Sequence, residues 1–373
     1  MYYFDHSATT PIKSEVLDLI TKINKSTYGN ASSIYTLGRK AKTIIENARY
    51  EVAHSISAKP EQIIFTSGGT EANNQVLWSF LKKSNSHIIS NPIEHPAINE
   101  VLKYLSTIGL SYSLANVKSD GIISIDSIIK NLKPKTALIC LMMANNEIGT
   151  IQPLKEIIEI AKERKIMIHT DAVQCIGKTE LNVSTLGIDF LSLSAHKFYG
   201  PKGIGALYVR EPKKINSLIL GGGQEKGLRS GTENVALIAG MGLACKMAYN
   251  SLAEHKKLLK SLETYFKTQL KTIIPNAVFN GNQLNKIPGL VNVSFIGNKS
   301  DLILAKLDRE NIAVSNGSAC GSGNIKTSPV LTALGLKDEV NLSSIRFSFG
   351  ASNTKDQIDF LLKQLKLILN KNG

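Results

Sequence analysis

From about residue 60 the chain alternates short apolar runs with amphipathic stretches, and this alternation limits the possible folds more than any other feature. Gln62-Ile63-Ile64-Phe65-Thr66 reads as a strand, Glu71 to Lys82 as a helix, His87-Ile88-Ile89 as a strand and Pro96 to Leu105 as a helix. Further strands are expected at Leu138 to Met143, Ile166 to His169, Phe190 to Ser194 and Ala206 to Val209, with a helix at Leu154 to Lys165. Strands and helices that alternate in this way predict an α/β domain on a mostly parallel sheet. A long helical pattern from Glu233 to about Leu270 leads to a different texture. Strands are expected there at Leu290 to Phe295 and Ser344 to Phe349, and helices at Leu302 to Glu310 and Gln357 to Leu369. This half reads as a smaller α+β domain completed by the N-terminal segment. The expected partition is 12–255 for the large domain, and 1–11 with 256–373 for the small one.

The chain has 373 residues, 43% of them apolar, which suffices for two domains of roughly 100 to 200 residues each. Its longest apolar runs, Ala137 to Ala144 and Val235 to Ala244, fall short of the roughly 18 to 20 residues that span a bilayer, so they are expected in a core. No basic segment followed by an apolar one opens the chain, and a cytoplasmic location is expected. The 44 Lys+Arg exceed the 30 Asp+Glu by 14, but 37 of the 44 are lysines scattered along the sequence. Scattered lysines read as a solvated surface, and direct DNA binding is not expected without clustered Arg or interleaved aromatics. Cys140, Cys175, Cys245 and Cys320 lie far apart with no Cys-x-x-Cys pair, which argues against a zinc site or a disulfide framework and fits a reducing compartment.

Three segments at expected strand ends carry chemistry. Thr66-Ser67-Gly68-Gly69-Thr70-Glu71 follows a strand and opens a helix, where the first N–H groups and the Thr70 hydroxyl suit an anion such as phosphate; ordinary helix capping explains the same residues. His169-Thr170-Asp171-Ala172-Val173-Gln174 sets an Asp just past a strand, at the carboxyl edge where open α/β sheets bind ligands. It could pair with a protonated ring nitrogen or a metal, or cap a helix. Ser194-Ala195-His196-Lys197-Phe198-Tyr199-Gly200 puts a lysine at a strand end, where partial desolvation would free its amine for a Schiff base. A phosphate cradle, an acid for a ring nitrogen and such a lysine are together what pyridoxal phosphate needs.

These residues resemble the cysteine desulfurases of the NifS/IscS type, within the class V aminotransferases of the fold type I pyridoxal-phosphate enzymes. The resemblance runs from Tyr3-Phe4-Asp5-His6-Ser7-Ala8-Thr9-Thr10-Pro11 to Ile345-Arg346-Phe347-Ser348-Phe349-Gly350. Between them, in family order, stand Glu94-His95-Pro96, Asn145-Asn146-Glu147-Ile148-Gly149 and Arg229-Ser230-Gly231-Thr232-Glu233-Asn234. It implies a sheet of the seven-stranded type and pyridoxal phosphate held as a Schiff base on Lys197. Asp171 would meet the pyridine nitrogen, Gln174 the phenolic oxygen, and His95 the ring face. Gly69, Thr70, Ser194, Ala195 and His196 would surround the phosphate with Thr232 of a neighbouring subunit, which implies a homodimer. Asn30, Asn145 and Arg346 would hold the substrate, the Arg as a bidentate partner of its carboxylate. Asn145 also belongs to the implied cofactor set.

Cys320 decides the subfamily. Val314-Ser315-Asn316-Gly317-Ser318-Ala319-Cys320-Gly321-Ser322-Gly323 reads as an exposed loop, which suits a nucleophilic thiol that visits a substrate and then a partner. By resemblance, L-cysteine loses its sulfur to Cys320, leaving a persulfide and L-alanine. Lys197 takes the Cα proton and His95 serves proton transfers. The sulfur then passes to an iron–sulfur scaffold protein or a tRNA-thiolation acceptor. No intrinsic metal is implied beyond transient contact of Cys320 with an iron–sulfur cluster. The other three cysteines are expected to be packed. The sequence departs from the family pattern at Ala31 and Tyr35, where Pro and His are usual, and at Gly321, where Ser or Thr is commoner. The chain ends soon after the helix Gln357 to Leu369, so docking through the longer tail of housekeeping members is not expected. A selenocysteine lyase or another class V aminotransferase would not require Cys320. A non-catalytic basic tRNA- or scaffold-binding protein would require neither it nor Lys197.

Overall fold

The computed structural model describes residues 1–81, 86–317 and 326–370. Its main sheet has seven strands in the order Ile63–Thr66, Gly205–Val209, Phe190–Ser194, Met167–Asp171, Thr136–Met142, His87–Ser90 and Ser111–Leu114. Gly205–Val209 runs antiparallel to both neighbours and the remaining pairs are parallel. The apolar run Thr136–Met142 is inner strand because both of its faces are covered. Leu138 and Cys140 enter one cluster with Val76, Leu77, Phe80, Ile98 and Leu102. Ile139 and Leu141 enter another with Ile45, Val52, Ile157, Ile158 and Met241. Helices therefore sandwich the sheet, and its carboxyl edge is left for ligands.

A three-stranded antiparallel sheet, in the order Ser344–Ser348, Leu290–Ser294 and Val278–Asn280, carries the second core. Phe266, Phe295, Phe347 and Phe349 pack there with the helices Leu252–Ile273, Ser300–Arg309 and Lys355–Asn370. The N-terminus completes this part. Tyr2–Tyr3 pairs in parallel with Ile312–Ala313, and Phe4 is fully buried in the same core. The next residues cross to the main sheet, where Thr10 N–H donates to the His196 carbonyl at 2.9 Å. This crossing brings the Asp5-His6-Ser7-Ala8 backbone over the strand end that carries Lys197.

The alternation predicted most of these elements, and Phe190 to Ser194 coincides with its observed bounds. The long helical pattern is corrected: it forms two helices, Val235–Asn250 and Leu252–Ile273, bent by 73°. The break falls at Ser251, whose hydroxyl donates back to the Met247 carbonyl at 2.8 Å. Asp171 is the last residue of its strand rather than a residue beyond it. Among the described residues no single helix is long and apolar enough to cross a membrane.

Candidate active site

The carboxyl edge gathers the three strand-end segments. Ile63–Thr66 turns through Gly68 into the helix Gly69–Leu81. A Cβ on Gly69 would meet Val173 Cγ2 at 2.7 Å and Ser194 Cβ at 3.7 Å, so only glycine lets this helix start approach the neighbouring strand ends so closely. Glu71 accepts the Ser67 N–H at 2.8 Å and pairs with Arg229 at 3.0 Å. That ion pair joins the Gly-Gly turn to the Arg229–Asn234 segment. Thr70 is exposed at the helix start, beside the buried Gly69. Ser194 and Ala195 are buried, and His196 Nδ1 meets the Thr9 hydroxyl at 3.1 Å. Burial, with Lys197 next in effect, pushes His196 down to about 4, so its imidazole is neutral.

Asp171 is buried and receives two hydrogen bonds, from Asn73 Nδ2 at 2.7 Å and from the Val173 N–H at 3.0 Å. These bonds leave its oxygens lone pairs for one more donor. Asn73 lies one helical turn after Gly69, so the helix that opens at the cradle also orients the acid. Nothing in the local sequence marks Asn73 for this role, since its partner is 98 residues away.

Lys197 is half-buried, and its amine donates to the Ser7 carbonyl at 2.7 Å and the Ala8 carbonyl at 2.8 Å. Burial chiefly, then the charges of Lys178 and Arg346, push it down to about 7. A large fraction of the amine is therefore unprotonated and nucleophilic at neutral pH. His95 is exposed at the start of the helix Pro96–Thr107, where Nδ1 accepts the Ala97 N–H at 3.1 Å. That bond places the proton of the neutral ring on Nε2. The protein around His95 holds its pKa below the ordinary value; the nearby Asp171 opposes this and Lys197 adds to it. The adjacent Glu94 is fully buried, accepts from Asn91 and from the Met142 N–H, and is raised by that burial to about 8.

Gln174 is buried, donating to the Ser7 carbonyl at 2.9 Å and accepting from Lys178 at 3.1 Å. Arg346 is 4% exposed, donates to Asp5 Oδ1 at 2.7 Å and to the Asn146 carbonyl at 3.0 Å, and keeps a buried Nε–H without a partner among the described residues. Asn145 stands in the same turn as Asn146, whose carbonyl accepts from Arg346. It is wholly buried, Nδ2 meets the Ile93 carbonyl and Met142 Sδ, and Oδ1 accepts the Glu147 and Ile148 N–H groups. A buried amide must be satisfied, and here the turn beside Arg346 satisfies it. Asn30 is exposed, with Oδ1 accepting the Ser32 N–H at 2.8 Å. Thr232 is exposed ahead of the helix Val235–Asn250, and among the described residues no hydrogen bond joins it to the other site residues of its own chain.

Cys320 lies outside the described residues. The other three thiols are buried and free. Cys140 Sγ packs at 3.0 Å from His169 Nδ1, and burial pushes all three thiols up, Cys245 to about 12.

The donor set fits pyridoxal phosphate. The glycine-walled helix start can take a phosphate, the doubly bonded Asp171 carboxylate can take a ring N–H, and the desolvated Lys197 amine can take an aldehyde. Arg346 Nε–H is an orphaned donor suited to a carboxylate.

The chain is similar to several known proteins over nearly its whole length. A "Cysteine desulfurase IscS" of Dictyoglomus turgidum is 43% identical over 372 residues, covering 99% of this chain and 94% of that protein. A "Cysteine desulfurase, mitochondrial" of Saccharomyces cerevisiae is 41% identical over 367 residues, covering 97% of this chain and 73% of that protein. A solved NifS-like protein superposes with a TM-score of 0.93 at 35% identity, covering 99% of both chains. SspA in complex with cysteine superposes with a TM-score of 0.82 at 34% identity, covering 95% of this chain and all of that one. The family described as Aminotransferase class-V matches residues 2–361, and the chain belongs to that family.

Proposed function

We propose that this protein is a pyridoxal-phosphate-dependent cysteine desulfurase that moves the sulfur of L-cysteine onto Cys320 and releases L-alanine. The observation that carries the reading is the desolvated Lys197 amine, near a buried Asp171 carboxylate fixed by Asn73 and the Val173 N–H. Lys197 would hold the cofactor, with Asp171 at its ring nitrogen, Gly69, Thr70, Ser194, Ala195 and His196 at its phosphate, and Gln174 and His95 beside the ring. The bound cofactor supplies an electron sink for the substrate carbon that bears the amino group.

The chain's own groups supply the rest. Arg346 pairs with the substrate carboxylate, held in place by Asp5 and the Asn146 carbonyl. Asn145, from the turn beside Arg346, and the exposed Asn30 would also hold the substrate. The free Lys197 amine takes the proton from the substrate Cα and can return it. The Cys320 thiolate attacks the substrate sulfur: the new S–S bond forms as the C–S bond breaks, and the electron pair left on carbon takes a proton. His95, with its proton on Nε2, would serve proton transfers at the substrate thiol. The net exchange of Cys320 thiol and L-cysteine for Cys320 persulfide and L-alanine balances without an external oxidant.

The exposed Thr232 supports a homodimer in which each subunit adds Thr232 to its neighbour's phosphate cradle. The persulfide would then be drawn off by an iron–sulfur scaffold protein or a tRNA-thiolation acceptor. The test is stoichiometry: L-cysteine with a thiol reductant should give equal alanine and sulfide, and Lys197→Ala should give neither. Undiminished alanine from Lys197→Ala would refute the reading.

A further inference from the structure

One buried cation near the site has no part in the reaction derived above. Lys178 is 6% exposed, and its amine donates to Gln174 Oε1 at 3.1 Å. Gln174 Nε2 donates in turn to the Ser7 carbonyl at 2.9 Å, and the same carbonyl accepts from Lys197 Nζ at 2.7 Å. One amide and one main-chain oxygen thus connect two lysine amines. The order of donors fixes the direction of the chain, because an ammonium only donates and must be given Oε1, which leaves Nε2 to face Ser7.

The local backbone is arranged to hold Lys178 there. Its N–H bonds to the Cys175 carbonyl at 3.0 Å. Gly177 takes a φ of +73°, the left-handed turn that favours glycine, and its carbonyl bonds to His255 Nδ1 at 2.8 Å. Lys178 and Lys197 also border one cavity of about 310 Å³ between the two cores, among walls such as Met247, Leu258 and Phe349. Charges in such surroundings interact strongly because little solvent screens them.

We propose that Lys178 is a positioning residue for Lys197: the chain through Gln174 and Ser7 fixes where the Lys197 amine rests, and the Lys178 charge keeps a second ammonium from forming beside it. This rests on Lys197 being the cofactor lysine. The groups that act on Lys197 are Lys178 and Arg346 on the cationic side and Asp171 and Asp5 on the acidic side. His95 and His196 also neighbour it, both held below their ordinary pKa, and His6 beside Lys178 is pushed by burial to about 4. Burial brings Lys178 itself to about 8, so at neutral pH it keeps most of its charge. Among the charges that lower Lys197, Lys178 has the largest effect.

The experiment is competitive acetylation of the apoenzyme from neutral to alkaline pH, read for each lysine by peptide mass spectrometry, with the exposed Lys260 as internal reference. Lys178→Met and Lys178→Gln are each expected to move the Lys197 reactivity midpoint up by about one pH unit, the scale of a near like charge removed. Lys178→Arg should restore the wild-type midpoint. Unmoved midpoints in both uncharged variants, or failure of the Arg variant to restore them, would overturn the proposal. Borohydride reduction of the holoenzyme separately identifies the cofactor lysine. Attachment elsewhere would defeat the functional reading, while the acetylation profile would still decide whether Lys178 governs Lys197.

Discussion

Gly69→Ala tests the phosphate cradle. The added Cβ would lie 2.7 Å from Val173 Cγ2. Non-bonded carbons settle at about 3.5–4.0 Å, so on the order of 1 Å of displacement is required. Val173 cannot yield easily, because its β-branched side chain is stiff and its N–H is bonded to Asp171 at 3.0 Å. The helix start must move instead, at a cost of about 1–3 kcal/mol. The same movement draws the first helical N–H groups away from the phosphate position. A loss of about 1.4 kcal/mol there is a tenfold loss in cofactor affinity. Urea unfolding of the apoenzyme measures the first effect, and absorbance titration with pyridoxal phosphate the second. Val173→Ala in the Gly69→Ala background removes the clashing atom and should restore most of both losses, whereas independent sites would simply add. Wild-type stability and affinity in Gly69→Ala, or no rescue by Val173→Ala, would refute the steric argument.

Three further outcomes are expected. Arg49 forms a buried two-bond pair with Glu225, both bonds at 2.7 Å, and Glu225 also accepts the N–H of Phe65, within the strand that leads to the cradle. Glu225→Ala removes the buried carboxylate and leaves the guanidinium only Glu46 at 3.1 Å and the Ile63 carbonyl at 2.9 Å, and should cost up to about 3–5 kcal/mol in urea unfolding; a loss no larger than that of an exposed pair would contradict it. Asp5→Ala frees Arg346 from its 2.7 Å partner and should raise KM for L-cysteine about tenfold with a smaller change in kcat, while Asp5→Asn stays close to wild type; equal effects would show that Asp5 does not orient Arg346. Lys197 falls from 10.5 to about 7 on folding, so between these values the unfolded apoprotein binds more protons and this group's contribution to stability rises with pH. Below about 7 the folded protein carries the full penalty of a buried ammonium. Lys197→Met should flatten the alkaline rise in apoprotein stability, and an unchanged slope would count against the depressed amine.

The parts of this site that could be read from the sequence are those that local pattern controls. Phe190 to Ser194 is an apolar run ending at a lysine-bearing turn, and period and punctuation suffice to place it. The break at Ser251 was hidden because apolar residues continue on both sides of it, and the bend is settled by tertiary packing. The supporting shell was largely illegible. Lys197 is held by carbonyls 189 and 190 residues away in sequence, and Asp171 by an asparagine 98 residues away. No local signal encodes such partners, although the four-residue spacings of Gly69 with Asn73 and of Gln174 with Lys178 were visible hints. The polarity of Asn145 is visible in the sequence, whereas its burial in the turn beside Arg346 is not.

In the proposed reaction Cys320 receives the sulfur of L-cysteine. Its most direct test is the mass of the Cys320 peptide after the holoenzyme reacts with L-cysteine without reductant. The expected result is the added mass of one sulfur atom on Cys320, with one alanine released per modified site, and neither in Cys320→Ser. Alanine release with an unmodified Cys320, or undiminished sulfide output from Cys320→Ser, would contradict it.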